Sequence, residues 1–403
     1  MKKIDGASNR PLKPDTKITV AGRDPFAQHG YVNPPVYHAS TLLYPTAEDF
    51  LGRRGRYQYG RRGTPTSEAL ESALREIEGP ACAGVALAPS GLAAISVALL
   101  SVLQAGDHLL VSDSVYGPTR TFCDTVLARY GVTISSYDPL AADRIAFLMQ
   151  PKPRAVFTEA PGSLTFEMQD IPAVAAAAHA QGAIVLMDNT WASPLFFSAL
   201  DHGVDLSIQS GTKYIGGHSD LMLGSVAANT TTWQRLHDTA GTMGTCVGPD
   251  DMFLGLRGLR TMAVRLARHQ TSGIAVARWF EGRPEVLRVL HPALASDPGH
   301  AIWQRDFTGA SGLFSVVLRP VPEAAVNAFL NALTLFGMGA SWGGYESLAI
   351  PFDCTKIRTA TKWVPGGPTI RFHIGLEDVD DLIADLERGL AALAAANEQH
   401  ARR

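Results

Sequence analysis

The chain has 403 residues, 46% of them apolar and 18% charged, with a formal net charge of −3. This composition supports a large lobe plus a smaller one around buried cores and excludes a disordered chain. With no basic stripe, no acidic tail and no run of about 18 apolar residues, neither nucleic acid nor a membrane is an expected partner.

Residues 1–62 show no sustained helical period and are rich in Pro, Gly, Arg and Tyr, as a loose leader or an arm ordered by another subunit would be. From Thr64 the pattern changes. "TPTSEALESALREIEG" offers Thr64 or Thr66 as an N-cap, Leu70, Leu74 and Ile77 at helical spacing, and Gly79 as the stop. Apolar strands then alternate with helical stretches: "GVALAPS" before "GLAAISVALLSVLQAG", "DHLLVSD" before "YGPTRTFCDTVLARYG", "RAVFTEAP" before "PAVAAAAHAQG", then "AIVLMDN". Strands apolar on both faces imply a covered parallel sheet, so residues 63–256 read as a doubly wound α/β domain. "LGLRGLRTMAVRL" is expected to form a long connecting helix. In residues 257–403, strands "GLFSVVL" and "TIRFHIGL" and helices "VPEAAVNAFLNAL" and "DVDDLIADLERGLAALAAANEQ" suggest a smaller α+β domain.

Cys82, Cys123, Cys246 and Cys354 are widely spaced without a CxxC pair, which argues against disulfides or zinc and reads as buried small hydrophobes in a reducing compartment. "MKKIDGASNRPLKPDTK" has no apolar stretch of a secretory signal, so the expected location is cytoplasmic.

There are eight lysines against twenty-seven arginines, and Lys213 alone follows a strand end, in "SIQSGTKYIGGHSD". The others suit solvent: Lys2, Lys3, Lys13 and Lys17 in the arm, Lys152 in a loop, Lys356 and Lys362 in a polar Thr-rich stretch. A buried lysine can lose its proton and act as a nucleophile, which arginine cannot; taken alone, Lys213 reads more readily as a lysine snorkelling to water. Asp188 ends another buried strand, in "AIVLMDNTW", where a cap or turn aspartate is the ordinary alternative. Lysine and aspartate at neighbouring carboxyl ends of an open sheet describe a pyridoxal phosphate (PLP) site, with the carboxylate keeping the pyridine nitrogen protonated. Ser90-Gly91-Leu92 opens a helix whose free N–H groups suit a phosphate, Ser210 and Thr212 offer hydroxyls, and Tyr116 offers a ring to stack. His218 and Asp220 lack a third metal ligand and read as structural hydrogen bonders.

From "GYVNPPVYHASTLLY" and "YQYGRRGTPT" through "VYGPT", "TEAPGS", "MDNTWASPLFF" and "SIQSGTKYIGGHSDLMLG" to "SWGGYESL" and "IRFHIGLEDVDDL", the chain resembles the Cys/Met-metabolism family of PLP enzymes, most closely its bacterial cystathionine β-lyase branch. The resemblance implies the aspartate aminotransferase-like fold (fold type I of PLP-dependent transferases). It makes Lys213 the Schiff-base lysine, Asp188 the partner of the pyridine nitrogen and Tyr116 the stacking tyrosine, with proton transfer as its second role. Gly91, Leu92, Ser210 and Thr212 become the phosphate cradle, while Tyr59 and Arg61 cross to a neighbouring subunit's phosphate in a homotetramer. Arg371 would grip the substrate α-carboxylate beside Ser341 and Trp342.

Trp342 in "SWGG" and "APGSL" after a strand match the β-lyase form rather than that of γ-lyases and γ-synthases. The expected reaction is β-elimination of L-cystathionine to homocysteine, pyruvate and ammonia, with Lys213 taking the Cα proton and protonating the departing sulfur. The alternatives are γ-elimination or γ-replacement, a cystine or cysteine-conjugate lyase, and a non-catalytic PLP-binding regulator. A nicotinamide dehydrogenase is excluded, since no GxGxxG follows the first strand.

Overall fold

The structure is a computed structural model that describes residues 12–141 and 154–402; Lys2, Lys3 and the loop lysine Lys152 lie outside the described residues. Thr64 is the cap of the helix Pro65–Glu78: its hydroxyl accepts from Ser67 N while Ser67 Oγ accepts from Thr64 N, and Pro65 supplies the first turn. Leu70, Ala73, Leu74 and Ile77 turn one stripe of this helix into a core. Gly79 ends it at φ 94°, a conformation open to glycine.

The large sheet contains β1 (Gly84–Ala88), β2 (His108–Ser112), β3 (Thr133–Tyr137), β4 (Ala155–Glu159), β5 (Ile184–Asp188), β6 (Leu206–Ser210) and β7 (Gly224–Ala228), in the order β1-β7-β6-β5-β4-β2-β3. Strands β3, β2, β4, β5 and β6 run parallel, while β7 lies antiparallel between β6 and β1. Sequence reading alone expected parallel strands and saw neither β3 nor β7. β3 is a half-polar edge strand, and the small residues of "GSVAA" carry little strand signal although all five are buried. Apolar clusters cover both sheet faces, as continuous apolar strands require.

The second sheet is antiparallel, in the order β10 (Leu348–Phe352), β11 (Thr369–His373), β9 (Leu313–Leu318), β8 (Val286–Leu290). The helices Glu323–Ala332 and Val379–Ala401 contribute Phe329, Leu386 and Leu390 to its core around Phe314 and Phe372.

The single connecting helix expected at "LGLRGLRTMAVRL" is two, Pro249–Leu259 and Met262–Glu281. Thr261 breaks it by turning its hydroxyl back to Gly258 O. Residues 12–62 are also more ordered than their composition suggested. The seven-residue helix Pro14–Val20, too short to show a period, buries Ile18 with Leu70 and Ala73. Among the described residues, no helix is long and apolar enough to cross a membrane.

Candidate active site

Lys213 stands in a turn directly after β6, where Lys213 N donates to Ser210 O at 3.0 Å and Gly217 N to Lys213 O at 2.7 Å. A buried guanidinium braces this turn: Arg265 Nη2 donates to Tyr214 O and to Gly258 O, both at 2.8 Å. Gly258 permits the approach, since a Cβ there would stand 2.3 Å from Ile215 O and Gly216 O. The amine donates to Ser341 Oγ at 2.5 Å and lies 5.4 Å from the centre of the Trp342 ring. Burial, aided by the Arg371 charge and opposed by Asp188, pulls its pKa from 10.5 down to about 8. The lysine is therefore not a snorkelling surface cation. Its neutral form is accessible near physiological pH.

Asp188 ends β5, with Thr190 N (3.0 Å) and Thr190 Oγ1 (2.6 Å) donating to one carboxylate oxygen. Thr190 Oγ1 accepts in turn from Ser210 N at 2.9 Å, tying the ends of β5 and β6 together. Burial raises the Asp188 pKa, while Thr190 and Lys213 oppose the rise. Glu159, in register with Asp188 on β4, accepts from Tyr116 N at 2.7 Å. Burial first, then the charge of Asp188, pushes its pKa well up. Glu159 had received no role from the sequence, because its closeness to Asp188 is a matter of strand register. Tyr116 remains 44% exposed over this carboxylate pair, as a ring available for stacking must be. Burial, together with Asp188 and Glu159, raises its pKa.

The helix Gly91–Val102 points its free N-terminus at the same place. Ser90 caps it through Ala93 N. A Cβ on Gly91 would meet Ser210 Oγ at 2.6 Å, so glycine keeps the helix end and the Ser210 hydroxyl together as an anion cradle. Leu92 lies in the same first turn, partly exposed at 38%. Thr212 is adjacent, but its hydroxyl is engaged with the backbone, donating to Leu223 O at 3.2 Å and accepting from Leu223 N at 3.1 Å.

Arg371 comes from β11 of the second sheet. It makes no structural ion pair among the described residues; Nη2 donates to Ser341 O at 2.9 Å and, at 3.3 Å, to Gly339 O. Its buried Nε has no partner among the described residues. Burial lowers its pKa to about 10 against the opposing effect of Tyr116 and Tyr214, leaving it a cation poised for a carboxylate. Ser341 therefore joins the sites, its hydroxyl accepting from Lys213 and its carbonyl from Arg371.

Lys213, Asp188, Tyr116, Gly91, Leu92, Ser210, Thr212, Arg371, Ser341 and Trp342 thus fall in one region at the carboxyl ends of β2, β4, β5 and β6. Tyr59 and Arg61 do not join them within this chain: Tyr59 is 46% exposed and Arg61 Nη1 donates to Gly241 O at 2.6 Å. His218 is structural as expected, its Nδ1 2.8 Å from Gly216 O. Among the described residues no group of three His, Cys, Asp or Glu side chains could hold a metal. Cys82, Cys123 and Cys354 are buried thiols, whereas Cys246 is exposed, contrary to the buried role expected for all four, because it lies in the loop after the helix Trp233–Met243.

The residues present fit PLP. A glycine-only cradle at a helix N-terminus suits its phosphate, a lysine of lowered pKa suits its aldehyde, and a buried carboxylate suits its pyridine nitrogen. The chain is 44% identical over 390 residues to a cystathionine β-lyase of Salmonella typhimurium strain LT2, covering 94% of this chain and 98% of the relative. It is 43% identical over 392 residues to the Escherichia coli K12 cystathionine β-lyase, covering 94% and 99% of the two chains. A cystathionine γ-synthase crystal structure from Xanthomonas oryzae pv. oryzae superposes with a TM-score of 0.88 at 34% identity, covering 96% of this chain and all of that one, which bears out fold type I. The family model described as Cys/Met metabolism PLP-dependent enzyme matches residues 15–391, and the chain belongs to that family.

Proposed function

We propose that the chain cleaves L-cystathionine by β-elimination, releasing homocysteine, pyruvate and ammonia, as a carbon–sulfur lyase of methionine biosynthesis. The observation that carries the proposal is Ser341, which links the Lys213 amine to the Arg371 guanidinium under the Trp342 ring. A proton acceptor, a carboxylate anchor and a bulky wall then meet at one point.

Lys213 would attach PLP, Asp188 would pair with its ring nitrogen, and Tyr116 would stack on the ring. The N–H groups of Gly91 and Leu92, with the hydroxyls of Ser210 and Thr212, would hold the phosphate. When bound, PLP supplies an electron sink that acidifies the Cα–H of an attached amino acid. Arg371 receives the substrate α-carboxylate with its free Nε and exchanges its long carbonyl contacts for a two-pronged ion pair. The freed Lys213 amine takes the Cα proton and returns a proton to the sulfur as the Cβ–S bond breaks, and the three-carbon remainder hydrolyses to pyruvate and ammonia. The Trp342 ring restricts how the side chain reaches Lys213.

We assign residues 63–256 to a PLP-binding large domain, 257–403 to a C-terminal small domain and 1–62 to an arm that brings Tyr59 and Arg61 to the neighbouring subunit's phosphate. That assignment requires an oligomer; we take it to be a homotetramer of paired dimers, as the family resemblance implies, and place it in the cytoplasm. The 46% exposure of Tyr59 supports it.

Incubation with L-cystathionine, with identification of the keto acid, tests the reaction. Pyruvate supports β-elimination. 2-Oxobutyrate would show γ-elimination, and absence of turnover would favour a PLP-binding regulator. A faster release of pyruvate from L-cystine than from L-cystathionine would reassign the substrate.

A further inference from the structure

The loop that carries Ser341 and Trp342 is held from below by two side chains of one strand. Arg371 and His373 lie two residues apart on β11 and so share a face, while Phe372 between them enters the apolar core. Arg371 grips the first half of the loop through the carbonyls of Gly339, Ala340 and Ser341. His373 grips the second half: Gly343 N donates to His373 Nε2 at 3.1 Å, and Gly344 O lies 3.0 Å from the same nitrogen.

The loop also rests against the residue that carries the amine. Gly343 has φ 85°, and a Cβ on it would stand 3.0 Å from the Lys213 carbonyl carbon and Cβ, so this turn of the loop rests on the Lys213 backbone. When Arg371 turns to a substrate carboxylate, as the proposed function requires, it releases its hold on the loop carbonyls. The grip on Gly343 remains.

We propose that His373, whose Nε2 lies within hydrogen-bond reach of both Gly343 N and Gly344 O, is the positioning residue that keeps Ser341 and Trp342 in place over Lys213 while Arg371 is engaged elsewhere. The ring is fully buried, facing His269 at 5.2 Å and Tyr214 at 6.2 Å between ring centres. Burial first, then His269, Arg371 and Lys213, takes the His373 pKa down to about 3, so the ring stays neutral across the working range. The inference uses the assignment of Arg371 as carboxylate anchor, but the loop can be observed without any substrate.

Two variants test it in the PLP-loaded enzyme. His373→Leu removes the acceptor at similar size, and His373→Gln restores an oxygen or nitrogen near the Nε2 position. Hydrogen exchange of a peptide spanning residues 337–346 should be at least tenfold faster in the Leu variant and near wild type in the Gln variant. KM for the eliminated substrate should rise about tenfold in the Leu variant, with kcat changed less, and Gln should recover most of it. If the Leu variant does not fold, His373→Asn, whose side chain is too short to reach Gly343, takes its place. Wild-type exchange in the acceptor-less variant, or a Gln variant that exchanges as fast as it does, would overturn the positioning role. Altered exchange in a protein that cleaves no cystathionine would instead overturn the substrate assignment alone.

Discussion

Lys213 Nζ donates to Ser341 Oγ across 2.5 Å, joining residues 128 positions apart and, through them, the two sheets. The first sheet supplies the amine and the second supplies the group that orients it. The site therefore exists only while both lobes are docked.

The Lys213 pKa makes cofactor attachment pH-dependent. Only the neutral amine attacks an aldehyde, so reattachment of PLP to apoenzyme should accelerate with rising pH and level off above about 8, the value to which burial and Arg371 bring the amine. Removing a neighbouring cation raises an amine's pKa. Arg371→Leu should therefore shift the midpoint to higher pH, as followed by stopped-flow absorbance.

Gly91→Ala tests the cradle. Its methyl group would stand 2.6 Å from Ser210 Oγ, and overpacking of this kind costs about 1–3 kcal/mol. The strain falls at the phosphate end, so PLP affinity should drop about tenfold by equilibrium dialysis, and the apoenzyme midpoint should fall by about 2–4 °C.

Asp113 fastens residues 359–361 of the second lobe beside Tyr116. Its buried carboxylate accepts from Thr359 N (3.0 Å), Ala360 N (3.1 Å) and Thr361 N (2.8 Å), and pairs with Arg120 at 2.6 Å. Burial alone would raise its pKa, but these donors and Arg120 hold it below the usual carboxylate range. Asp113→Ala should cost about 3 kcal/mol, since it removes the acceptor of three backbone N–H groups and leaves the half-buried Arg120 guanidinium without its counter-charge. Limited proteolysis should then cut within residues 355–364 before it cuts elsewhere.

Glu78 gives stability the opposite pH dependence. Burial raises its pKa from 4.5 to about 8, with Ser207 Oγ donating to it at 3.2 Å. Between those values the folded protein binds a proton that the unfolded chain has lost, so this group's contribution to stability declines as pH rises from about 4.5 to 8. Glu78→Gln keeps an acceptor for Ser207 and should flatten the decline, making the variant more stable than wild type at pH 8 in chemical denaturation.

Local chemistry made some of this legible in the chain itself. The cap at Thr64, the apolar strands β1, β2, β4, β5 and β6, and a lysine isolated at a strand end each depend on a few neighbouring residues, and resemblance then linked Lys213, Asp188 and Arg371. β7 was not legible, because five small residues owe their strand to the neighbours on either side. Glu159 and His373 were missed for a related reason: one acts through its register with Asp188, the other through a loop thirty residues earlier in the chain.

The sequence by itself determined which chemistry is available, since lysine, unlike arginine, can supply a neutral amine and a Ser-Gly helix start offers free N–H groups to an anion. The tertiary structure decided what that chemistry can do. It buried the amine until its pKa fell to about 8, set Ser341 against it, and left Arg371 Nε unpaired. Burial and long-range contact change the energy of a charge, and neither is a property of local sequence.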